Sequence, residues 1–205
     1  APAHLTAEEA ATLPCAAVTV WHALVVRCGL QPGDTGLTIG TGGVSLFAVQ
    51  IASMLGARVV VLSSSDAKLE RARALGATEG INYVTTPDWD GELKKRGIAP
   101  DHVVEVGGTA TLAKSIKSAR MGGNLALIGN LSGGGETNVI PAFMKNLTLH
   151  GVFVGSREMF EALNAAVSAH GMRPVVDRVF PFEEIAAALR HLESGAFGKV
   201  VVRVS

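Results

Sequence analysis

A glycine-rich turn between a short β-branched run and a long apolar segment constrains the fold of this chain more than any other feature. Residues 37–39 lead into GTGGVS at 40–45, and an apolar segment without a helix breaker continues to Gly56. This order predicts a strand, a tight turn and a helix, in which Gly40 allows the sharp turn and Gly42 lets a ligand approach the backbone. The first amides of such a helix are unpaired and carry partial positive charge, so they suit a pyrophosphate. An ordinary tight turn is the alternative interpretation.

Strand-like and helix-like segments alternate along the rest of the chain. Ser45 stands where a third glycine is usual, which predicts weaker packing of the helix on the strand, and a second strand follows at 58–62 as a dinucleotide-binding unit requires. Continuous apolar runs, as at 59–62 and 125–128, are typical of strands covered on both faces. We therefore predict an α/β fold with a doubly wound parallel sheet, a Rossmann-type dinucleotide-binding domain.

The element boundaries follow from the same patterns. A helix is predicted from Thr6, interrupted by Pro14 and resumed from Cys15 to Val26. The predicted strands lie at 35–39, 58–62, 79–82, 102–106, 124–128, 148–154, 175–179 and 199–204. The predicted helices lie at 43–55, 66–75, 89–96, 109–119, 157–170 and 183–194.

Composition narrows the class of protein. The 205 residues carry 18 basic and 18 acidic side chains, so the formal net charge is zero and no basic surplus indicates nucleic-acid binding. Two cysteines, Cys15 and Cys28, form no disulfide framework, which predicts a reducing, cytoplasmic environment. No apolar run reaches about 18 residues, so we expect no membrane span.

Small residues follow several of the predicted strands at their carboxyl ends, where ligands bind in open parallel sheets. One glycine after a strand indicates an ordinary turn, whereas glycines after four strands indicate a ligand lying across this edge. Besides the turn at 40–43, the small-residue segments are Ser63-Ser64-Ser65, Val106-Gly107-Gly108, Ile128-Gly129-Asn130 and Phe153-Val154-Gly155.

An ordered set of segments resembles the cofactor-binding half of the medium-chain dehydrogenase/reductases, which include zinc alcohol dehydrogenases and quinone oxidoreductases. The segments are ATLPCAAVTVW at 11–21, GTGGVS at 40–45, KLERARALGA at 68–77, INY at 81–83 and GKVV at 198–201. The resemblance covers nearly the whole chain. It implies a helical lead-in segment from the catalytic domain at 1–30 and a cofactor-binding domain with its closing strand at 31–205. The family's N-terminal GroES-like catalytic domain is then absent from this chain.

The resemblance also implies roles for individual residues. Cys15 takes the place of a cysteine that ligates catalytic zinc in the zinc enzymes, and the alternative is a small buried apolar residue. Thr19 is implied to face the nicotinamide or the phosphates, or else to fill space in the core. Tyr83 is implied to lie beside the adenosine phosphate, or else to anchor a strand end. Lys199 either reaches a phosphate or is solvated, and Cys28 is expected to serve packing.

The cofactor-binding residues expected from these arguments fall into one set, whereas no catalytic residue is assigned. The set is Thr19, Gly40, Gly42, Gly43, Val44, Ser63, Ser64, Lys68, Tyr83, Val106, Gly107, Ile128, Gly129, Asn130, Phe153, Val154 and Lys199.

The segment after the second strand predicts that NADP is preferred over NAD, with NAD as the other possible cofactor. An NAD site usually carries an acidic residue there, which binds the ribose hydroxyls and would repel a 2′-phosphate. Here Ser63 and Ser64 offer hydroxyls, and Lys68 can reach back from the next helix. Asp66 is the nearest acid, and its position suits capping of that helix. A neutral site that tolerates both cofactors, with Lys68 solvated, is the alternative.

These expectations predict the cofactor-binding part of an oxidoreductase that exchanges hydride between NADP(H) and a small alcohol, carbonyl, enone or quinone. A non-catalytic nucleotide sensor on the same fold is one alternative, and a methyltransferase is another. We also predict a homodimer formed through the segment Leu147 to Val154, because an exposed edge strand can pair with a second copy.

Overall fold

The computed structural model describes residues 1–204, and its centre is a six-stranded parallel sheet in the order β3-β2-β1-β4-β5-β6. This confirms the predicted doubly wound α/β fold. The strands are β1 Thr35–Ile39, β2 Arg58–Ser63, β3 Glu79–Asn82, β4 His102–Glu105, β5 Asn124–Leu127 and β6 Thr148–Gly151. The helices that connect or follow them are α3 Gly43–Met54, α4 Asp66–Ala74, α5 Trp89–Lys95, α6 Thr109–Ser118, α7 Ile140–Met144 and α8 Arg157–His170.

Alternate residues of the central strands enter two cores on opposite faces of the sheet. In β2, Val59 and Val61 belong to one core, whereas Val60 and Leu62 belong to the other. All four side chains are at most 1% exposed, so the continuous apolar run is explained by cover on both faces. This cover holds the carboxyl ends of β1, β2 and β4 in fixed positions along one edge.

The chain before β1 is helical, but it is less regular than the sequence predicts. It comprises α1 Ala7–Ala10, the π-helical segments Leu13–Ala17 and Trp21–Arg27, and α2 Val18–Val20 between them. Pro14 does not separate two helices, because it lies in the first turn of a π-helical segment, where a missing amide donor costs little.

The stretch Ala7–Arg27 is long and apolar enough to cross a membrane by length and composition. Its apolar side chains are engaged in the domain, since Leu13, Val20 and Leu24 are at most 1% exposed within the first core. The core of a soluble domain satisfies the same criteria.

The last two strands do not extend the main sheet. Strands β7 Val176–Pro181 and β8 Lys199–Arg203 form a separate two-stranded parallel sheet, and α9 Ile185–Glu193 connects them after a 3₁₀ turn at Phe182–Glu184. Arg203 pairs with Glu8 at 2.6 Å, which ties this small sheet to α1.

The end of β6 and the presence of helix α7 differ from the predictions. Strand β6 ends at Gly151 rather than at residue 154, and Val154 adopts a φ of 56° that no extended strand contains. Helix α7 was not predicted, because its five residues contain Pro141 and are too few to show a helical period.

Candidate functional site: the carboxyl edge of the sheet

The glycine-rich turn delivers an open helix N-terminus to the carboxyl edge of the sheet. Gly40 has a φ of 83°, which a side chain would disfavour, and Gly42 is the extended N-cap residue of α3. No side chain caps α3, and a Cβ placed on Gly42 would meet no atom of the described residues within 4 Å. The first amides of a twelve-residue helix therefore face open space, as anion binding requires.

Ser45 strengthens the turn rather than loosening it. Its side chain is 2% exposed, and its hydroxyl donates a 2.7 Å hydrogen bond to the carbonyl oxygen of Ile39 at the end of β1. The serine in the place of a third glycine thus adds a direct link between helix and strand, where the sequence predicted weaker packing.

Lys199 lies against the start of α3. The amide of Gly198 donates to the carbonyl of Thr41 at 3.1 Å, and Gly198 pairs with Gly42 in an isolated bridge. A Cβ on Gly43 would come within 2.5 Å of Cδ of Lys199. Within residues 1–204 the Lys199 ammonium forms no ion pair, so it can serve an anion at the helix start.

The residues after β2 are arranged differently from the prediction. Ser63 is 1% exposed, and its hydroxyl oxygen accepts the amide of Ser65 at 3.3 Å. Ser65, not Asp66, is the N-cap of α4, and the Asp66 carboxylate instead accepts the side-chain amide of Asn82 at 2.9 Å. Ser64 is exposed and is therefore the hydroxyl that can reach a ligand.

Lys68 is not simply solvated, because its ammonium donates to the carbonyl oxygen of Gly195 in the segment between α9 and β8. A contact from Lys68 to a ligand phosphate would replace this hydrogen bond.

An apolar cavity of about 380 Å³ opens beside the glycine-rich turn. It brings together several predicted residues with Trp89 and Thr111, which the sequence did not single out. Its lining residues are Ile39, Gly40, Leu62, Tyr83, Pro87, Trp89, Val106, Gly107, Thr111 and Leu131. The flat, largely apolar ring of a nucleotide base would fit such an apolar cavity. A larger cavity of about 620 Å³, which Lys94, Lys117 and Lys145 help to line, contains none of the predicted site residues.

Glu105, at the end of β4, is the principal residue that sequence reasoning missed. Its side chain is 1% exposed, and Oε1 accepts the amides of Gly107 at 2.7 Å and Gly108 at 3.2 Å and the hydroxyl of Thr111 at 2.6 Å. Oε2 accepts the hydroxyl of Ser115. The signal was available, because a lone carboxylate in the apolar run 103–106 must be buried with donors around it.

The turn after β5 packs directly against the turn after β4. A Cβ on Gly129 would approach the carbonyl oxygen of Val106 to 2.6 Å, and one on Gly108 would approach Oδ1 of Asn130 to 2.3 Å. The backbone carbonyl of Glu105 accepts the amide of Ile128 at 2.9 Å. Close contact between the two turns therefore explains these glycines, without a ligand.

The segment after β6 places its two predicted residues differently. Phe153 is 93% exposed, so it contacts little within the described residues. Val154 has a positive φ, which is strained for a β-branched residue, and its carbonyl oxygen accepts a hydrogen bond from Nδ1 of His22 at 2.8 Å. His22 in the lead-in segment thus holds the backbone after β6.

The lead-in segment does not by itself form a metal site. Cys15 is exposed, and residues 1–204 contain no group of three His, Cys, Asp or Glu side chains arranged to hold a metal ion. The described residues therefore do not supply a complete zinc site by themselves. Thr19 is 4% exposed, and its hydroxyl donates to the Cys15 carbonyl at 2.7 Å. Cys28 is buried, and burial raises the pKa of its thiol to about 12, as suits a packing residue.

Comparisons with known proteins agree with this geometry. Residues 43–169 match the model of the zinc-binding dehydrogenase family. A zinc-type alcohol dehydrogenase-like protein of Schizosaccharomyces pombe is 44% identical over 214 residues, covering 100% of this chain and 62% of that protein. A crystal structure of a candidate alcohol dehydrogenase from Sinorhizobium meliloti superposes with a TM-score of 0.94 at 43% identity, covering 100% of this chain and 60% of that one.

The cofactor is known by name for two further solved structures. An NAD-dependent alcohol dehydrogenase superposes with a TM-score of 0.91 at 37% identity, covering 100% of this chain and 61% of that one. A 2-octenoyl-CoA carboxylase reductase in complex with NADP gives 0.89 at 31% identity, covering 98% and 50%. This chain spans about 60% of the length of the first curated relatives it matches. From its site, its fold and these matches, the chain belongs to the zinc-binding dehydrogenases of the medium-chain dehydrogenase/reductase family.

Proposed function

We propose that this chain binds NADP(H) and supports hydride exchange with a small alcohol, carbonyl, enone or quinone. The observation that carries the proposal is the uncapped N-terminus of α3 lying beside an apolar cavity. A dinucleotide needs both features, because its pyrophosphate is anionic and its adenine is flat and largely apolar. The reaction class in this proposal is taken from the names of the relatives, which describe alcohol dehydrogenases.

The chain's own residues would divide the work of binding. The amides of Gly43 and Val44 would bind the pyrophosphate with Lys199 beside them, because α3 has no cap of its own. Tyr83 and Trp89 would enclose the adenine in the cavity. The cofactor supplies the hydride chemistry, and this part of the enzyme orients it and excludes water. Cys15 as a zinc ligand remains a prediction that these residues do not support by themselves.

The preference for NADP over NAD rests on the serines at 63–65, which stand where an NAD site usually carries an acid, and on Lys68, while the nearest acid, Asp66, accepts the side-chain amide of Asn82. Ser64 is exposed, and Lys68 can exchange its bond with Gly195 for one with a 2′-phosphate. Because Lys68 already has a partner, the expected gain is about tenfold in affinity, the lower end for a charge-assisted hydrogen bond. The solved relatives include one with NADP and one named NAD-dependent, which is compatible with either cofactor.

Fluorescence titration of this chain tests the proposal, since Trp89 lines the cavity and its emission should transfer to bound reduced nicotinamide. NADPH should bind more tightly than NADH, and S-adenosylmethionine should not bind. Lys68→Ala should weaken NADPH binding and leave NADH binding unchanged. Equal affinity for NADPH and NADH at physiological salt would refute the NADP preference, and binding of S-adenosylmethionine alone would refute the dehydrogenase assignment. A nucleotide sensor would bind NADPH while the complete protein catalysed no hydride transfer.

A homodimer through β6 remains part of the proposal. Strand β6 pairs only with β5 among residues 1–204, so its outer backbone groups are available for another strand. Exposed apolar side chains flank it, with Phe143 77% exposed and Phe153 93% exposed. Light scattering at micromolar concentration should show a dimer that Leu149→Lys dissociates, while Leu189→Lys on α9 leaves it intact. A monomeric wild type would contradict this prediction.

We also propose a cytoplasmic location, because the chain's two cysteines are both free thiols.

A further inference from the structure

Glu105 carries a buried carboxylate, and each of its hydrogen-bond partners is a donor. Two backbone amides and two hydroxyls converge on its two oxygens, so it acts as an acceptor in every contact. Within residues 1–204 no basic side chain forms an ion pair with it. Burial of a carboxylate is costly, and the four hydrogen bonds that Glu105 accepts offset this cost.

The groups that Glu105 holds are the groups that shape the cavity wall. Gly107 and Thr111 line the cavity, and both donate to Oε1 of Glu105 at 2.7 Å or less. Val106, between the carboxylate and Gly107, is also a lining residue. The backbone carbonyl of Glu105 in turn accepts the amide of Ile128, so one residue connects the turns after β4 and β5.

The amides of Gly107 and Gly108 lie just before helix α6, whose N-cap residue is Gly108. Both amides donate to Glu105, and the amide of Ala110 in the first turn of α6 donates to the hydroxyl of Ser132 at 3.0 Å. The amides around the turn after β4 are therefore bound within the chain, whereas the start of α3 has no side-chain cap.

We propose that Glu105 is a positioning residue for the dinucleotide, whose carboxylate holds the turn after β4 in the shape that receives the cofactor. This inference rests on the proposed function, because it requires a dinucleotide at this edge. It assigns to Glu105 no contact with the cofactor and no part in hydride transfer.

Three variants of this chain test the inference by NADPH titration alongside thermal unfolding. Glu105→Leu leaves the two amides without an acceptor, so NADPH should bind at least tenfold more weakly. Glu105→Gln retains an acceptor oxygen for both amides and should bind within threefold of wild type. Val167→Ala, a buried change on α8 remote from the cavity, is a stability control and should bind within twofold.

Hydrogen exchange provides a readout independent of cofactor binding. The amides of Gly107 and Gly108 should be protected in the wild type and in Glu105→Gln, and should lose protection in Glu105→Leu. If Glu105→Leu does not fold, Ser115→Ala decides, because it removes one donor outside the cavity and should weaken NADPH binding about twofold to fourfold.

The results separate this inference from the proposed function. If the wild type binds NADPH and Glu105→Leu, or Ser115→Ala in its place, binds equally well, the positioning role is refuted alone. A loss in Val167→Ala equal to that in Glu105→Leu at the same Tm would also refute it. A wild type that does not bind NADPH would refute the proposed function and this inference together.

Discussion

Glycine-containing turns precede two helices at the carboxyl edge of the sheet, and the chain treats the amides at these two places in opposite ways. Helix α3 follows Gly42 without any side-chain cap, and Gly42 is exposed. Before α6, the amides of Gly107 and Gly108 are bound by the protein's own Glu105. A glycine-rich turn is therefore an anion site only where the chain leaves the helix start unsatisfied.

The two turns also need their glycines for different reasons. A Cβ on Gly42 would meet no atom within 4 Å, and its φ of −78° suits any residue, so that glycine leaves room for something outside the chain. Gly108 has a φ of 85°, and a Cβ there would approach Asn130 to 2.3 Å, so that glycine serves internal packing. The space around each glycine therefore distinguishes a glycine beside open space, as the proposed binding role requires, from a glycine needed for internal packing.

Gly108→Ala should have the largest effect of the following variants, and the effect should fall on stability. Its positive φ and its contact with Asn130 both oppose a side chain, so the free energy of unfolding should decrease by about 2–4 kcal/mol. Denaturant unfolding measures the change. A decrease smaller than 1 kcal/mol would show that the two turns are less tightly interlocked than the geometry indicates.

Gly42→Ala should leave the folded chain intact and strongly weaken cofactor binding. The methyl group occupies open space in the free protein but lies where the pyrophosphate must approach α3, so NADPH should bind at least tenfold more weakly while Tm changes little. Titration and thermal unfolding of the same sample measure both quantities. Unchanged NADPH affinity would contradict the placement of the pyrophosphate at α3.

His150 provides a smaller effect away from both turns. Burial lowers the pKa of His150, and the nearby charges of Arg27 and His102 lower it further, while Nε2 of His150 lies 3.2 Å from Oδ1 of Asn124. With the folded pKa below the unfolded value of about 6.5, the unfolded chain binds more protons as the pH falls. Stability should therefore be intact above this value and decrease as the pH falls through the folded pKa.

The measurement is Tm between pH 7.5 and pH 5, with His150→Gln as the control because glutamine is a donor that does not titrate. The wild type should lose about 1–2 °C more than the variant over this range, which corresponds to roughly half of 1 kcal/mol for a chain of this size. Identical pH profiles would show that His150 does not contribute. Loss of NADPH binding in His150→Gln would show that the amino ends of the strands are coupled to the two turns.

The sequence predicted the sheet well because burial on both faces leaves a local signature. In β2, apolar residues at successive positions predict a covered parallel strand, and the structure places them alternately in two cores. Helix α8 was predicted with its full boundaries, 157–170, because Ser156 caps its start and Gly171 ends it in the left-handed conformation. Short or strained segments, such as α7 and the residues after β6, have no such signature.

The site was predicted in part, and the errors have a common physical cause. Gly42 and Lys199 lie close together, because the turn after β1 and the start of β8 meet at one bridge, and their roles in cofactor binding remain predictions. Asp66 was wrongly interpreted as the cap of α4, although Ser65 one residue earlier performs that role. The partner of Lys68 could not be predicted, because Gly195 is 127 residues away in sequence.

By itself the sequence determined the order of strands and helices, the glycine-rich turn, the run of serines at 63–65 and the family to which the chain belongs. Only the tertiary structure decided which turn keeps its amides free, because that depends on whether a buried carboxylate folds back onto the amides that follow it. Glu105 is a single charged residue in an apolar run. Its role as a hydrogen-bond acceptor is visible only in the fold, where α6 brings the hydroxyls of Thr111 and Ser115 to its carboxylate. Local patterns record burial, whereas the pairing of polar groups depends on contacts that the fold creates.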